Sequence, residues 1–168
     1  EFPVLPSPVF CHDHEASSTT KNYHFAFYGA MNERRHRLLD QLQESGIRIK
    51  LIEGMYGQQL SRELHECHAV LNIHAYETSI FETARALRPV AMGLPIVSES
   101  SRLPQLIDWT YAPIKFVPYE DLFSYCTHAV QTEFSELKGK TRIEPEFLHR
   151  YHQKTELLSS VRHLLEMD

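Results

Sequence analysis

Short apolar runs alternate with longer amphipathic segments along most of the chain. The run His24–Tyr28 is apolar and aromatic and stops at Gly29, as a buried strand does. Behind it, Asn32 can cap a helix whose leucines fall on one face and which ends at Gly46. This strand followed by a helix is the first unit of a pattern that the rest of the chain repeats.

The repeated pattern predicts further strands and helices. The expected strands span 47–52, 69–73, 95–98 and 114–117, and the expected helices span 58–67, 80–88, 119–131 and one or two stretches within 144–165. Pro89 is expected to bend or stop the third helix. Strands that alternate with helices of this length imply right-handed crossovers. The sequence therefore predicts an α/β fold, a Rossmann-like parallel sheet of about five strands with helices on both faces.

The first 22 residues differ in composition and apolar pattern from the rest of the chain. Residues 1–22 contain three prolines and the run Ser17–Thr20 but no apolar period, so they are expected to be an N-terminal arm or linker. Residues 23–168 then form the Rossmann-like domain with its C-terminal helices, a length that suits one domain. The opening Glu1, in place of a methionine, indicates an excised or processed piece.

The amino-acid composition indicates which binding partners and which cellular compartment to expect. The net charge is −5 and the pI about 6.1, so no basic face for nucleic acid is expected. Three widely spaced cysteines favour a reducing compartment over a disulfide framework. No apolar run approaches the ~18 residues of a membrane span, and no signal-peptide pattern is present. We therefore expect a cytoplasmic protein without a transmembrane segment.

Parallel sheets of this kind bind ligands beyond the carboxyl ends of their strands, where the strand order reverses. The corresponding loops are 29–31, 54–57, 74–81 and 98–101. The pattern predicts the location of a site but does not identify the ligand.

The sequence lacks complete versions of three familiar binding motifs: a dinucleotide-binding turn, a P-loop and a metal site. The turn after Gly29 lacks the second and third glycines of a dinucleotide site. The run 139–141 resembles the end of a P-loop, but Phe134 occupies the position of the first glycine and no strand precedes it. The run 11–14 is rich in metal-ligand types but has no second ligand pair at useful spacing. Neither NAD, a P-loop nucleotide nor a metal is expected.

The stretch from Leu71 to Arg85 is the most informative part of the sequence. A strand runs into a polar loop, and a helix starts with Glu82 near its N-terminus. A carboxylate there can accept two hydrogen bonds from a ribose diol, and the free N–H groups of the helix end favour a diphosphate. Arg85, one turn further on, can clamp a phosphate with two parallel hydrogen bonds.

The segments LNIHAYETSIFETAR, GLPIVSES and IKFVPYEDL resemble the C-terminal, donor-binding domain of GT-B-fold glycosyltransferases of the bacterial cell-surface polysaccharide type. The resemblance covers residues 23–131. That family places two acidic residues at the spacing between positions 74 and 82, the first near the donor sugar and the second on the ribose. Glu82 matches the second, whereas His74 replaces the first. The distance from Glu82 to Gly93 is also longer than is usual in that family.

The resemblance implies transfer of a sugar from a nucleoside-diphosphate donor to a hydroxyl of a glycan, in polysaccharide biosynthesis. It implies no cofactor besides that donor substrate, and an N-terminal GT-B domain, missing from this chain, that binds the acceptor and supplies the catalytic base. No catalytic residue is assigned. The expected donor-binding residues are Gly29, Ala30, Arg35, His74, Tyr76, Ile80, Phe81, Glu82, Arg85, Ser98 and Glu99.

Other interpretations stay open. The chain can instead be a non-enzymatic Rossmann-like module that binds a nucleotide or a protein. A receiver domain is disfavoured because the first strand ends in Tyr28 and Gly29 rather than in acidic residues, and a flavodoxin because 30–31 is not hydroxyl-rich. Residue by residue, Glu82 can be only a helix-start carboxylate, Arg85 an ion-pair arginine and His74 a structural histidine. Arg34 and Arg35 are expected on a solvated helix face, from which one can reach a phosphate.

Overall fold

The computed structural model describes residues 20–77, 81–101, 109 and 112–138. The strands are β1 (Tyr23–Tyr28), β2 (Ile49–Ile52), β3 (Cys67–Asn72), β4 (Ile96–Glu99) and β5 (Ile114–Val117). The helices are α1 (Glu33–Glu44), α2 (Gly57–His65), α3 (Thr83–Ala91), α4 (Leu122–Gln131) and α5 (Ser135–Lys138), and a 3₁₀ turn at Tyr119–Asp121 precedes α4.

The strands form one parallel sheet in the order β2-β1-β3-β4-β5. The chain leaves β1 to build β2 on one side and then returns to place β3 on the other. The strand order therefore reverses between β1 and β3, which is the position where open α/β sheets bind ligands. Because all strands are parallel, their carboxyl ends meet at a single edge. The predicted α/β fold is confirmed.

Helices cover both faces of the sheet, as predicted. One core cluster joins leucines of α1 and Leu122 of α4 to strand residues such as Phe25 and Phe27. The other joins leucines of α2 and Val90 of α3 to strand residues such as Ala26. Adjacent residues of β1 thus point into opposite clusters, which is the alternation expected of a strand buried on both faces.

Helix α1 begins and ends as the sequence predicts. The Oδ1 atom of Asn32 accepts a hydrogen bond from the Arg35 N–H at 3.0 Å and so caps the helix. The Nδ2 atom of Asn32 also donates to the Ala75 carbonyl at 2.6 Å, which ties the start of α1 to the end of β3. Gly46 follows the helix with a φ of +87°, in the left-handed region.

Several predicted boundaries are wrong. Helix α2 ends at His65, and Cys67 begins β3 instead of closing the helix. Helix α3 runs through Pro89 to Ala91 instead of stopping before the proline. The cause lies in β1, because the Tyr28 hydroxyl donates to the Arg85 carbonyl at 2.5 Å, and that carbonyl is the acceptor that Pro89 cannot serve.

The last described helix, α5, follows a turn that the sequence did not predict. Glu133 and Phe134 have φ values of 50° and 59°, and they redirect the chain from α4 into α5. The Phe134 ring is buried, in an edge contact with Phe25 and stacked on His68. Packing of this ring offsets the cost of the left-handed backbone. Residues 1–19 of the predicted arm and the helices predicted within 144–165 lie outside the described residues.

Candidate functional site

Charged side chains converge at the carboxyl ends of β1, β3 and β4. We call this region the crevice and define it by Arg34, Arg35, Glu82, Arg85 and Glu99. The two arginines of α1 lie behind β1, Glu82 and Arg85 are at the start of α3, and Glu99 ends β4. Three guanidinium groups and two carboxylates therefore meet where the strand order reverses.

Arg35 is almost fully buried, with 2% of its surface exposed. Its Nε and Nη2 atoms donate to the Ile73 carbonyl at 3.0 and 2.8 Å, and its Nη1 atom donates to the Ala30 carbonyl at 2.5 Å. Its Nη2 atom also donates to Oε1 of Glu82 at 3.2 Å. Burial lowers the pKa of Arg35, and the carboxylate of Glu82 opposes that shift. Arg35 thus joins the ends of β1 and β3 to the start of α3.

Glu82 occupies the residue just before α3 and makes no side-chain cap to that helix. Its Oε2 atom lies 2.5 Å from Nη2 of Arg85, and its Oε1 atom faces Arg35. The Glu82 side chain remains 37% exposed. The carboxylate is therefore oriented by two arginines while part of it stays open to solvent.

Arg85 packs against the backbone that follows β1. Its Nη1 atom donates to Oδ1 of Asn72 at 3.0 Å. Gly29 has a φ of +141°, and a Cβ placed on it would lie 2.7 Å from Nη2 of Arg85. The backbone conformation favours glycine at position 29, and a Cβ there would also force the end of the Arg85 side chain to shift.

Glu99 forms the second charged centre of the crevice. Its carboxylate pairs with the Arg34 guanidinium through two hydrogen bonds, at 2.7 and 2.5 Å. It also accepts a hydrogen bond from the His74 backbone N–H at 2.9 Å. The Arg34 guanidinium stacks over the Tyr119 ring, 3.6 Å from its centroid. This buried pair fixes the end of β4 against α1 and the end of β3.

His74 is buried beside that pair, with 1% of its surface exposed. Neither ring nitrogen has a hydrogen-bond partner among the described residues. The Nδ1 atom lies 3.9 Å from Oε1 of Glu99, too far for a hydrogen bond. Burial lowers the pKa of His74, and the charge of Glu99 opposes the shift. The neutral ring therefore brings an unmatched donor and an unmatched acceptor to the crevice.

Two cavities flank the crevice along the same edge. One of about 430 Å³ lies between the ends of β1 and β2 and includes Gly29, Ala30, Gly54 and Tyr56. The other, of about 300 Å³, lies at the ends of β4 and β5 and includes Arg34, Glu77, Glu99 and Tyr119. The edge thus offers room on both sides of the charged centre.

The remaining expected residues occupy different environments. Ser98 is buried and accepts a hydrogen bond from Asn72 at 3.0 Å, and Phe81 is buried in edge contact with Trp109 and Phe116. Tyr76 is 72% exposed. Ile80 lies outside the described residues. The structure therefore gathers the charged members of the expected set and places Phe81 in the core.

The expectation that Arg34 and Arg35 are solvated is wrong. Arg35 lies three and four positions before Leu38 and Leu39, on the face of α1 that packs on the sheet. That spacing is a signal that could have identified its burial. Sequence reasoning also missed Asn72 and Tyr28, which hold Arg85 through its guanidinium and its carbonyl.

Neither a membrane-spanning helix nor a cluster of metal-ligating side chains is present among the described residues. No helix there is long and apolar enough to cross a membrane. No group of three or more histidine, cysteine, aspartate or glutamate side chains there is placed to hold a metal ion.

Comparison with known proteins gives relatives without assigned activity. No protein-family model matches the sequence. An uncharacterized protein of Acanthamoeba polyphaga mimivirus is 28% identical over 152 residues, which is 88% of this chain and 16% of that protein. Two further uncharacterized proteins of that virus are 31% and 34% identical over 105 and 108 residues, covering 61% and 62% of this chain. The chain spans 34% and 15% of their lengths.

A solved structure is similar in fold. TarM, a GT-B glycosyltransferase, superimposes with a TM-score of 0.57 at 13% identity, over 91% of this chain and 37% of TarM. At that identity the similarity shows the fold alone. The chain therefore has a Rossmann-like, glycosyltransferase-like α/β fold.

Proposed function

We propose that this chain is the nucleotide-sugar-binding domain of a glycosyltransferase, which transfers a sugar from a nucleoside-diphosphate donor to a hydroxyl of a glycan. The observation that carries the proposal is the placement of Glu82. Its carboxylate is partly exposed, is oriented by Arg35 and Arg85, and lies where the strand order reverses. The similarity in fold to a GT-B glycosyltransferase supports the same reaction class.

The Glu82 carboxylate is suited to bind the hydroxyls of a ribose. The carboxylate oxygens keep lone pairs beyond those that the two arginines use, and a vicinal diol can donate to both oxygens. Its position before α3 brings the ribose near the N-terminus of that helix. A diphosphate attached to the ribose would then lie near the positive end of the helix dipole and near the Arg85 guanidinium, whose side chain is 12% exposed. The Thr83 and Arg85 N–H groups already donate to the carbonyls of Phe81 and Glu82.

The backbone after β1 provides the closest approach for that diphosphate. Gly29 presents no side chain, and Ala30 is exposed. Both residues also line the cavity of about 430 Å³ that extends toward Tyr56. The two ring nitrogens of His74 have no partner among the described residues, but the ring is 1% exposed, so a sugar hydroxyl can reach it only if neighbouring side chains move.

The same geometry argues against catalysis by these residues alone. Glu82 and Glu99 are each paired with arginine, so neither is available as a general base in the described part of the chain. We propose that the base and the acceptor site come from a partner GT-B domain, and that the enzyme uses no cofactor besides its donor and works in the cytoplasm. The alternative, a nucleotide-binding module without enzymatic activity, is favoured by the pairing of both carboxylates with arginines.

A thermal-shift panel tests the proposal. UDP, GDP, CDP, ADP, TDP and their sugars are each added to the chain, and calorimetry follows any stabilisation. We expect one nucleoside diphosphate to bind with a free energy of roughly −8 to −4 kcal/mol, corresponding to micromolar to millimolar affinity. If none of these nucleotides binds at concentrations several times above the millimolar end of that affinity range, the proposal is contradicted.

A substitution at Glu82 then tests the ribose contact. Glu82→Gln should weaken the binding free energy of the nucleotide by about 1.5–3 kcal/mol, the range for hydrogen bonds to a charged group. The loss should be much smaller for a 2′,3′-dideoxy nucleotide, which has no diol. Glu33→Gln is the matched control, because Glu33 is an exposed glutamate at the start of α1. Equal losses for both nucleotides would show that Glu82 does not bind the ribose.

A further inference from the structure

Four of the five N–H groups of the Arg35 guanidinium donate to protein acceptors. Its four hydrogen bonds, to the carbonyls of Ala30 and Ile73 and to the Glu82 carboxylate, leave only one N–H without a partner in the described part of the chain. The side chain is 2% exposed. A phosphate could therefore replace these contacts only by dismantling them.

Those contacts fix three segments that the fold alone leaves independent. Ala30 belongs to the loop after β1, Ile73 directly follows β3 and Glu82 directly precedes α3. The planar, forked guanidinium matches several acceptors at fixed angles, which the compact ammonium of lysine cannot do. Arg35 therefore determines how the Glu82 carboxylate faces the backbone at Gly29 and Ala30.

We propose that Arg35 is a positioning residue, which acts on a nucleotide through Glu82 and the loop after β1 and does not contact the diphosphate. This inference rests on the proposed function. It assigns to Arg35 a role different from the phosphate contact that the sequence suggests, and it leaves Arg85 as the arginine next to the ligand.

Arg35→Lys is the informative variant because it keeps the charge and removes the fork. We expect the affinity for the nucleoside diphosphate to fall roughly tenfold, the effect of losing about one charge-assisted hydrogen bond. The preference for a nucleotide with a ribose diol over its dideoxy analogue should fall with it. Arg37→Lys is the control, since Arg37 is on the same helix, 66% exposed, and pairs only with Glu33 among the described residues.

A double-mutant cycle separates positioning from direct contact. If Arg35 acts through Glu82, Arg35→Lys should add little to the loss caused by Glu82→Gln. If Arg35 binds the diphosphate directly, the two losses should add, and the diol preference should survive in Arg35→Lys. Additive losses with a retained diol preference would overturn the inference.

Measurements on the unmodified chain test the inference even if the Arg35→Lys variant does not fold. In the free protein the Arg35 Nε–H should exchange slowly with water, and inorganic pyrophosphate should shift the Arg85 side-chain resonance more than that of Arg35. A larger shift at Arg35 contradicts the inference.

A chain that binds no nucleotide would refute the proposed function without deciding this point. The amide resonances of Ala30 and Glu82 then decide it, because they should move in Arg35→Lys and stay in place in Arg37→Lys. Unmoved resonances in both variants would overturn the positioning role.

Discussion

The hydroxyl of Tyr28 replaces the backbone N–H that Pro89 lacks. In a regular helix the N–H of residue 89 would donate to the Arg85 carbonyl, and here Tyr28 donates to that carbonyl at 2.5 Å. Burial raises the pKa of Tyr28 well above its usual range, so the phenol keeps the proton that it donates. Strand β1 thus completes helix α3 at the point where the proline interrupts it.

This relationship predicts a coupling between the two positions. Tyr28→Phe should lower the free energy of unfolding by about 1–3 kcal/mol, because it leaves the Arg85 carbonyl without a donor. In a Pro89→Ala background the restored N–H serves that carbonyl, so the same substitution should cost clearly less. Denaturant unfolding of the four proteins measures the coupling. Tyr56→Phe, at a side chain that is 81% exposed, should change stability little.

Glu99 should be important for stability. Glu99→Gln removes the charge that pairs with Arg34 and weakens the acceptor of the His74 N–H, in a site where Glu99 is 5% exposed. We expect a loss of at least about 1.5–3 kcal/mol in the free energy of unfolding. The exposed pair of Glu33 and Arg37 provides the comparison, and Glu33→Gln should cost less than about 0.5 kcal/mol. Equal effects of the two substitutions would show that burial of the Glu99 pair does not matter.

His74 makes stability depend on pH with a definite sign. Burial lowers its pKa below the ordinary 6.5, and Arg34 and Arg35 add to that shift, whereas Glu99 and Glu82 oppose it. As the pH falls through 6.5 the unfolded chain takes up the proton first, so the contribution of His74 to stability is present above that pH and declines below it. The decline can reach at most about 1.4 kcal/mol per pH unit for one proton.

Denaturant unfolding between about pH 5 and pH 8 measures this decline, and His74→Gln should flatten it. A residual slope should persist, because the pKa values of His24 and His68 are also lowered, first of all by burial. A His74 ring signal that titrates above 6.5 would show instead that the attraction of Glu99 exceeds the effect of burial.

Most of the fold could be predicted from local sequence. The apolar run at β1, the Asn32 cap and the leucine spacing of α1 each act over a few residues, and the alternation of such units determines a parallel sheet. The extension of α3 through Pro89 could not be predicted in this way. It depends on a hydroxyl in β1, 61 positions earlier in the sequence than the proline.

The convergence of charged residues at one edge of the sheet could be predicted for a related reason. Glu99 ends β4 and Glu82 lies in the connection from β3 to α3, and parallel strands bring their carboxyl ends together. The pairing within the site could not be predicted, because Arg34 and Arg35 are adjacent in sequence and yet pair with different glutamates. Which arginine faces which carboxylate depends on the rotation of α1 over the sheet, and that rotation is set by tertiary packing.

The pairing of three guanidinium groups with two carboxylates leaves the crevice with one net positive charge when His74 is neutral. A nucleoside diphosphate carries more negative charge than this, so the crevice by itself only partly neutralises such a ligand. The remaining charge is left to dissolved cations or to basic groups outside the crevice. Ionic strength should therefore strongly affect the affinity of this crevice for an anion, and a basic surface facing the crevice would remove much of that sensitivity.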